Sequence, residues 1–227
     1  MEGAIAQRSR IPSDDGYLRL RDAIVRGSLA PNQRLVEAEM SSEFGMTRSA
    51  VRTALVRLEH EGLVEREPHR GARVRLVPKA EAVEILEARA SLEGLAAHQA
   101  ALNLTPEGAS ELREILERQR EALAKQDLLG ASDVNAELHA KIIELSGHAT
   151  AQRLIRSLNS QMVRFQFRTI LIPGRSSQSI EEHTAIVDAL TSGQPEAAER
   201  AMRRHLNQVA KALDASHADP RREPLAS

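Results

Sequence analysis

The sequence predicts a mainly α-helical protein, in which three helices and a small β-hairpin are followed by an all-α bundle of six or seven helices. Three observations lead to this fold class. Apolar residues recur every three or four positions along most of the 227 residues, as they do on one face of a helix. Strand-like alternation of apolar and polar residues occurs in 63–67 and 72–77. The formal charge changes from +2 in residues 1–78 to −3 in residues 79–227, which indicates two domains.

The domain boundary is placed at Pro78, where an extended stretch meets a helical pattern. The first domain then spans residues 14–78 and the second spans residues 79–213. The polar termini, 1–13 and 214–227, are expected to be disordered.

Composition excludes several kinds of protein. A net charge of −1 provides no bulk attraction to polyanions, so nucleic-acid binding would need a local basic patch. The absence of cysteine excludes disulfides and zinc sites built from thiolates. No run approaches the roughly 18 apolar residues of a membrane span, and we expect a cytoplasmic, nucleoid-associated protein without a membrane segment.

The first domain reads as a helix-turn-helix with a wing. Its first two helices end at Gly27 and Gly45, and its third begins after Thr47, a good N-cap residue, and stops at Gly62. The short turn "EFGMT" separates the second and third helices, and a hairpin around "PHRG" predicts a two-stranded wing. The apolar faces of the three helices are Tyr17, Leu20 and Ile24; Val36, Met40 and Phe44; and Val51, Ala54, Leu55 and Leu58.

The polar face of the third helix carries Arg48, Ser49, Arg52, Thr53 and Arg57. The first four lie near the helix N-terminus, which is the end of a recognition helix that reaches base edges in the major groove, and arginine is the commonest reader of guanine. An arginine-rich face exposed to solvent is the alternative. Arginine at a helix start opposes the helix dipole, so stability alone would not favour it there, and we prefer binding to double-stranded DNA.

Residues 17–75 resemble the winged-helix reader of GntR-type bacterial regulators. The matching segments are "PNQRL", "TRSAVRTAL" and "PHRGARV". The resemblance implies that DNA is contacted by four residues of the helix and two of the wing: Thr47, Arg48, Ser49 and Arg52, with Arg70 and Gly71 in the minor groove. We expect Arg48 and Arg52 to read bases, and Arg57 and Arg70 to contact the backbone or the minor groove.

The second domain is predicted to be helical throughout. Thr105 before Pro106 is a helix start, and Gly147 and Gly193 are helix stops. A bundle of this kind builds ligand sites from side chains that point inward. The six segments with a helical apolar stripe are 80–102, 105–126, 133–147, 150–170, 177–193 and 194–213.

Three histidines fall on these apolar stripes. Asn135 and His139 are four residues apart and share one helix face, while His183 and His205 belong to two other helices. Converging imidazoles, with the Asn135 carbonyl oxygen, could hold a divalent transition metal such as Zn, Ni or Mn. Three separate core histidines, each hydrogen-bonded, explain the spacing equally well.

Arg89 is a further polar residue on an apolar stripe. A buried guanidinium without a partner is costly, so it requires an anion. One candidate is the carboxylate of a small-molecule effector. The other is Glu93, one turn further along the same helix.

The second domain also resembles a known one, the FCD ligand-binding domain of the FadR branch of GntR regulators. The matching segments are "EARASLEGLAA", "NAELHAKIIELSGH", "EEHTAIVDAL" and "SGQPEAAERAMRRHL". The resemblance implies a metal held by Asn135, where many relatives have Asp, together with His139, His183 and His205. It also implies an effector, a small organic acid, a sugar acid or an acyl-CoA, whose carboxylate meets the metal and Arg89.

Together these features predict a transcriptional regulator, a repressor, rather than an enzyme. One DNA-binding domain of this size makes few contacts with DNA, so we expect a homodimer on a pseudo-palindromic operator. Two alternatives remain: a metal sensor, and a metal-dependent hydrolase with a DNA-binding module. We expect Glu137 and Glu182 to face away from the histidines, which would leave a hydrolase without a general base.

Overall fold

The computed structural model describes residues 13–67, 71–162, 165 and 169–216. The chain forms two compact units, Met1–Leu76 and Val77–Ser227, and this division falls two residues before the boundary inferred from the sequence. Residues 1–12 and 217–227, for which disorder was expected, lie outside the described part. The remaining residues of the two predicted tails are helical. Ser13 begins the first helix, and the last helix continues to Ala215 because its buried stripe extends to Leu213.

The first unit contains three helices and a small sheet, as predicted. Its elements are α1 (Ser13–Val25), β1 (Arg34–Leu35), α2 (Glu37–Glu43), α3 (Arg48–His60), β2 (Val64–Glu67) and β3 (Gly71–Val74). The sheet is antiparallel in the order β1-β3-β2 and has one strand more than the predicted hairpin. The sequence could not indicate β1, because two residues are too short to alternate; Leu35 is nevertheless buried opposite Ala72.

The core of the first unit fixes the orientation of α3. Its apolar face, Val51, Ala54, Leu55 and Leu58, is buried as expected, and the helix packs against α1 and α2. The turn before it passes through Gly45 at φ 65°, a backbone conformation that favours glycine. The polar face of α3 is therefore directed away from the core of its own unit.

The second unit is helical in every described segment, as predicted. Its elements are α4 (Lys79–Asn103), α5 (Pro106–Ala124), α6 (Leu128–Leu145), α7 (Ala149–Gln161), α8 (Arg175–Thr191) and α9 (Pro195–Ala215). The long helix α4 packs along α9 and also contacts α6, α7 and α8, while α5 packs against α6 and α8. Helices α6, α7, α8 and α9 thus pack around α4 and α5, where the polar side chains described below are buried.

Several helix limits differ from those inferred from the sequence. Helix α6 begins at Leu128 rather than at 133, because Asp127 caps it by accepting a 2.9 Å hydrogen bond from the Gly130 amide. Helix α7 ends at Gln161, well before 170, and α8 begins at Arg175 rather than at 177. Among the described helices, none is long and apolar enough to span a membrane.

Candidate functional site

The N-terminus of α3 is built by a side-chain cap. Thr47 Oγ1 accepts a hydrogen bond from the Ala50 amide at 3.1 Å and lies 3.0 Å from Ser49 Oγ. Arg48 and Ser49 follow immediately and are exposed. Three of the predicted DNA contacts, Thr47, Arg48 and Ser49, therefore cluster at the positive end of one helix, where backbone N–H groups favour a phosphate.

The two arginines further along α3 differ in their surroundings. Arg52 is exposed, and its Nε donates to Glu37 Oε2 of α2 at 3.1 Å. Such an exposed pair contributes little to stability, so DNA could replace Glu37 at little cost. Arg57 instead lies over the Tyr17 ring, 3.7 Å from its centroid, and its Nε is 3.8 Å from Glu61 Oε1. Arg57 thus packs against Tyr17 within its unit, while both arginine side chains remain exposed.

The wing is described in part. Gly71 begins β3, is exposed and has a φ of 85°, a left-handed conformation that other residues rarely adopt. Arg70, the other wing residue predicted to contact DNA, lies outside the described residues.

In the second unit, the three predicted histidines come together. His139 of α6, His183 of α8 and His205 of α9 are buried, and one ring nitrogen of each lies within 4.8 Å of the other two. We call these three residues the histidine cluster. Its rings are 4.5–5.4 Å apart between centroids, so the three imidazoles contact one another.

Each ring of the histidine cluster also contacts an oxygen acceptor through Nδ1. The partners are Glu93 Oε2 at 2.6 Å from His139, Gln119 Oε1 at 2.8 Å from His183, and Glu182 Oε2 at 2.7 Å from His205. Because these oxygens accept, Nδ1 carries the proton in each neutral ring and Nε2 presents a lone pair. Metal-binding histidines are held in this way, with the second nitrogen hydrogen-bonded to a carboxylate or carbonyl.

The bare nitrogens fit a metal. His183 Nε2 and His205 Nε2 are 3.3 Å apart, although both are acceptors in this tautomer. Two nitrogens bound tetrahedrally to one Zn²⁺ at about 2.0–2.1 Å would be about 3.3 Å apart. A proton between them is disfavoured, because burial lowers the pKa of His183 and of His205 well below the ordinary value near 6.5, and the neighbouring imidazoles lower it further. A bound cation is one group that would satisfy both lone pairs.

Asn135, the fourth predicted ligand, lies one turn before His139 on α6 and is half-buried. It lines the same cavity as His139 and His205. Its amide is a neutral ligand, so it would not offset the charge of a bound cation.

Arg89 pairs with Glu93, the second of the two partners considered above. Its Nε donates to Glu93 Oε1 at 2.8 Å, while Glu93 Oε2 contacts His139. Burial alone would raise the pKa of Glu93, but Arg89 and His139 lower it to about 2. Glu93 is therefore a carboxylate that orients His139 and compensates the charge of Arg89, which still lines the cavity.

The expectation for Glu182 was wrong. Glu137 does face away and pairs with Arg118 on the surface, but Glu182 contacts His205 and accepts from Arg175 Nη2 at 2.6 Å. Glu182 precedes His183 by one residue, so it does not share the face of His183; it reaches His205 across the contact between α8 and α9. Burial raises the pKa of Glu182 despite the opposing effect of Arg175.

The cavity beside the histidine cluster has a volume of about 90 Å³. We call it the bundle cavity. His139, His205, Asn135 and Arg175 provide charged and polar groups along its wall, and Ser132, Ser176 and Ser179 add hydroxyls. Its apolar wall includes Leu86, Met162, Phe165 and Leu206.

Three polar residues of this site, Gln119, Arg175 and Glu182, were not predicted from the sequence. Gln119 could have been found, because it continues the buried stripe of Leu112, Ile115 and Leu116 on α5. Arg175 could not, because the predicted helix began two residues after it. The position of Glu182 depends on how α8 packs against α9, which no local pattern specifies.

Comparison with known families agrees with both units. Residues 12–74 match the family of bacterial regulatory proteins named gntR, and residues 84–208 match the FCD domain. The second match spans more than half of the chain.

Individual relatives are similar over most of their length. The HTH-type transcriptional repressor RspR of Escherichia coli (strain K12) is 26% identical over 197 residues, covering 87% of this chain and 86% of the relative. The "Probable D-xylose utilization operon transcriptional repressor" of Paenarthrobacter nicotinovorans is 30% identical over 196 residues, covering 83% and 84%. The solved structure of E. coli McbR/YncC superposes with a TM-score of 0.74 at 25% identity, covering 89% of this chain and 96% of that one. These families and relatives are transcriptional regulators, not enzymes.

Proposed function

Since the chain belongs to the GntR family of bacterial transcriptional regulators, we propose that it is a repressor whose FCD domain binds a divalent metal and a small carboxylate effector. The DNA-binding unit would hold an operator through Arg48, Ser49 and Arg52 of α3. Binding of the effector would weaken that hold. Two of the relatives above are named as repressors, which supports repression rather than activation.

One observation carries the metal part of this proposal. His183 Nε2 and His205 Nε2 face each other at 3.3 Å while both Nδ1 atoms are engaged with acceptors. Together with His139 and the Asn135 amide oxygen they form a set of neutral ligands of the kind that Zn²⁺, Ni²⁺ or Mn²⁺ accepts. When bound, the metal would supply a Lewis-acidic site for a ligand carboxylate.

The size of the bundle cavity limits the effector. One water needs roughly 10–15 Å³ of such volume, so a cavity of about 90 Å³ holds the equivalent of several waters. A small organic acid or a compact sugar acid fits this space. An acyl-CoA, the largest of the effectors implied by the family resemblance, does not.

Two carboxylates beside the cavity, each with two partners, hold the site together without the effector. Glu93 holds His139 and Arg89, and Glu182 holds His205 and Arg175. The two carboxylates balance the two guanidiniums, so a bound divalent cation adds two positive charges. An anionic effector would offset them, which favours an acid over a neutral sugar.

The test has two steps. Selection from a random DNA pool identifies the operator, and fluorescence anisotropy then measures the affinity of chelator-treated protein, of zinc-loaded protein, and of zinc-loaded protein with small acids. The proposal predicts an enriched pseudo-palindrome, with affinity reduced by zinc and an acid together. Failure to enrich any sequence contradicts the DNA-reading role. If zinc alone changes the affinity as much as zinc with acid, the protein is a metal sensor instead.

A further inference from the structure

Arg175 is the first residue of α8. Glu182 pairs with one nitrogen of its guanidinium, and the other two lack a hydrogen-bond partner among the described residues. The side chain is 4% exposed and lines the bundle cavity. Its Nη2 donates to Glu182 Oε2 at 2.6 Å and lies 3.4 Å from His205 Nδ1. Within the described part of the chain, Nε and Nη1 are buried and have no hydrogen-bond partner. One N–H on Nε and two on Nη1 are therefore available to a ligand.

This position is unfavourable for a residue with a purely structural role. A buried donor without an acceptor costs about 1–3 kcal/mol, and more when the group is charged. An arginine at the first position of a helix also opposes the dipole of that helix, which favours anions. Replacement by an apolar residue would remove both penalties, so the guanidinium is explained better by a ligand than by stability.

The available donors distinguish Arg175 from Arg89. Nε of Arg89 is bonded to Glu93 Oε1, and no Arg89 nitrogen is among the buried unpartnered atoms of the described residues. Arg175 also lies beside the histidine cluster through its contact with His205. Ser176 and Ser179, from the same end of α8, line the cavity next to it.

We propose that Arg175 binds the effector carboxylate directly, through an N–H of Nε or of Nη1, while Glu182 holds Nη2 in place. This inference rests on the proposed function, because it assigns a residue to the effector of that same site. It replaces Arg89 as the main carboxylate contact and makes the negative charge of the effector a requirement for binding.

The experiment uses the full-length, zinc-loaded protein and four probes: acetate, L-lactate, citrate and gluconate, each at millimolar concentration in calorimetric titrations. Acetamide and lactamide serve as neutral counterparts. The variants are Arg175→Gln and Arg175→Lys, with Arg204→Gln as the control, since Arg204 is an exposed arginine of α9. Zinc content and operator binding are measured for every variant.

The wild type and Arg204→Gln should bind at least one acid and neither amide. Arg175→Gln should keep zinc and bind that acid roughly ten- to a hundredfold more weakly, as expected for loss of hydrogen bonds to a charged group. Arg175→Lys should be weakened as well, because an ammonium does not reproduce the planar donors of arginine. If Arg175→Gln does not fold, the lysine variant decides.

Equal acid binding by the wild type and by a folded, zinc-loaded Arg175 variant would overturn this inference and leave the proposed function standing. Binding of the amides as tightly as the acids would overturn it too. If zinc-loaded wild type binds none of the four acids, both this inference and the effector part of the proposed function fail.

Discussion

Each imidazole of the histidine cluster uses Nδ1 for a hydrogen bond within the protein, and one ring nitrogen of each lies within 4.8 Å of the other two, which separate core histidines would not require. Glu93, Gln119 and Glu182 come from three different helices, and each contacts the Nδ1 atom of one ring. The Nε2 atoms of His183 and His205 face each other instead. A core that needed only apolar filling would have no reason to bury this set of polar groups. The arrangement is explained if the rings are oriented for a shared ligand.

The cluster predicts a stability that falls at mildly acidic pH. Burial lowers the pKa of His183 and His205, so the folded chain binds protons at these rings less readily than the unfolded chain does. Stability is therefore lost as pH falls below the unfolded value of about 6.5, and continues to fall until the lowered folded pKa is reached. The raised pKa of Glu182 acts in the opposite direction at lower pH.

Thermal unfolding of chelator-treated protein at pH 7.5 and pH 5.5 checks this prediction. The melting temperature should be lower at pH 5.5, and the difference should be smaller in His183→Gln, which has one titrating ring less. A melting temperature that is the same at both pH values, or that rises at pH 5.5, would contradict the assignment of neutral rings.

Glu93 is the residue whose loss should affect the folded state most. Glu93→Gln removes the carboxylate that pairs with Arg89 and orients His139, and it leaves a buried guanidinium uncompensated. We expect a loss of about 3 kcal/mol in the free energy of unfolding, measured by urea denaturation at pH 7. Glu87→Gln, an exposed position on the same helix, should change it by less than about 0.5 kcal/mol. Similar values for the two variants would show that the buried pair is not a stabilising element.

Among the elements, α3 followed directly from the sequence and β1 did not. Thr47, the buried stripe from Val51 to Leu58 and Gly62 are local signals, and each has the predicted role. Strand β1 exists because Leu35 pairs with Ala72, which lies far along the chain. Local patterns therefore specified the helix, whereas the third strand depended on a long-range contact.

The same distinction applies to the helices of the FCD domain. Helical spacing placed His139, His183 and His205 on inward faces, and the structure brings them together. Arg89 and Glu93 were recognised as possible partners because they are four residues apart on one helix. Glu182 and Arg175 were not, because their contacts with His205 exist only once α8 packs against α9.

Helix α3 carries the prediction about DNA. Arg52→Ala should weaken operator binding by roughly 1–3 kcal/mol and relax the preference at one base of each half-site, because its exposed side chain forms an exposed ion pair with Glu37, which DNA can replace. Arg26→Ala, an exposed arginine just after α1, is the control with the same change of charge. Anisotropy titrations on the operator and on a scrambled duplex separate the two roles: an equal loss on both duplexes would mean that Arg52 contacts the backbone and reads no base.

For the whole molecule, we expect a two-fold dimer. One helix-turn-helix unit reads too few bases for tight specificity, and a second copy doubles the site into a pseudo-palindrome. Light scattering at micromolar concentration should give twice the chain mass of 25.0 kDa, and the DNA complex should contain two chains per operator. A protein of 25.0 kDa both free and on DNA would exclude this assembly.

The proposed metal binds to the histidine cluster of the second unit, so it should also stabilise the folded chain. Ligand binding to the native state raises the melting temperature by mass action, and a chelator should reverse that gain. Loss of the metal should abolish the response to acids but not operator binding, because the first unit has a core of its own.

Elemental analysis of untagged protein, purified after growth with Zn, Ni and Mn supplied, tests the proposed metal site. We expect about one transition metal ion per chain in the wild type, loss of that metal in His183→Ala and in His205→Ala, and operator binding retained by both variants. If the wild type carries no transition metal under these conditions, or if the variants carry as much as the wild type, the histidine cluster is a structural part of the bundle core and the proposed metal site is wrong.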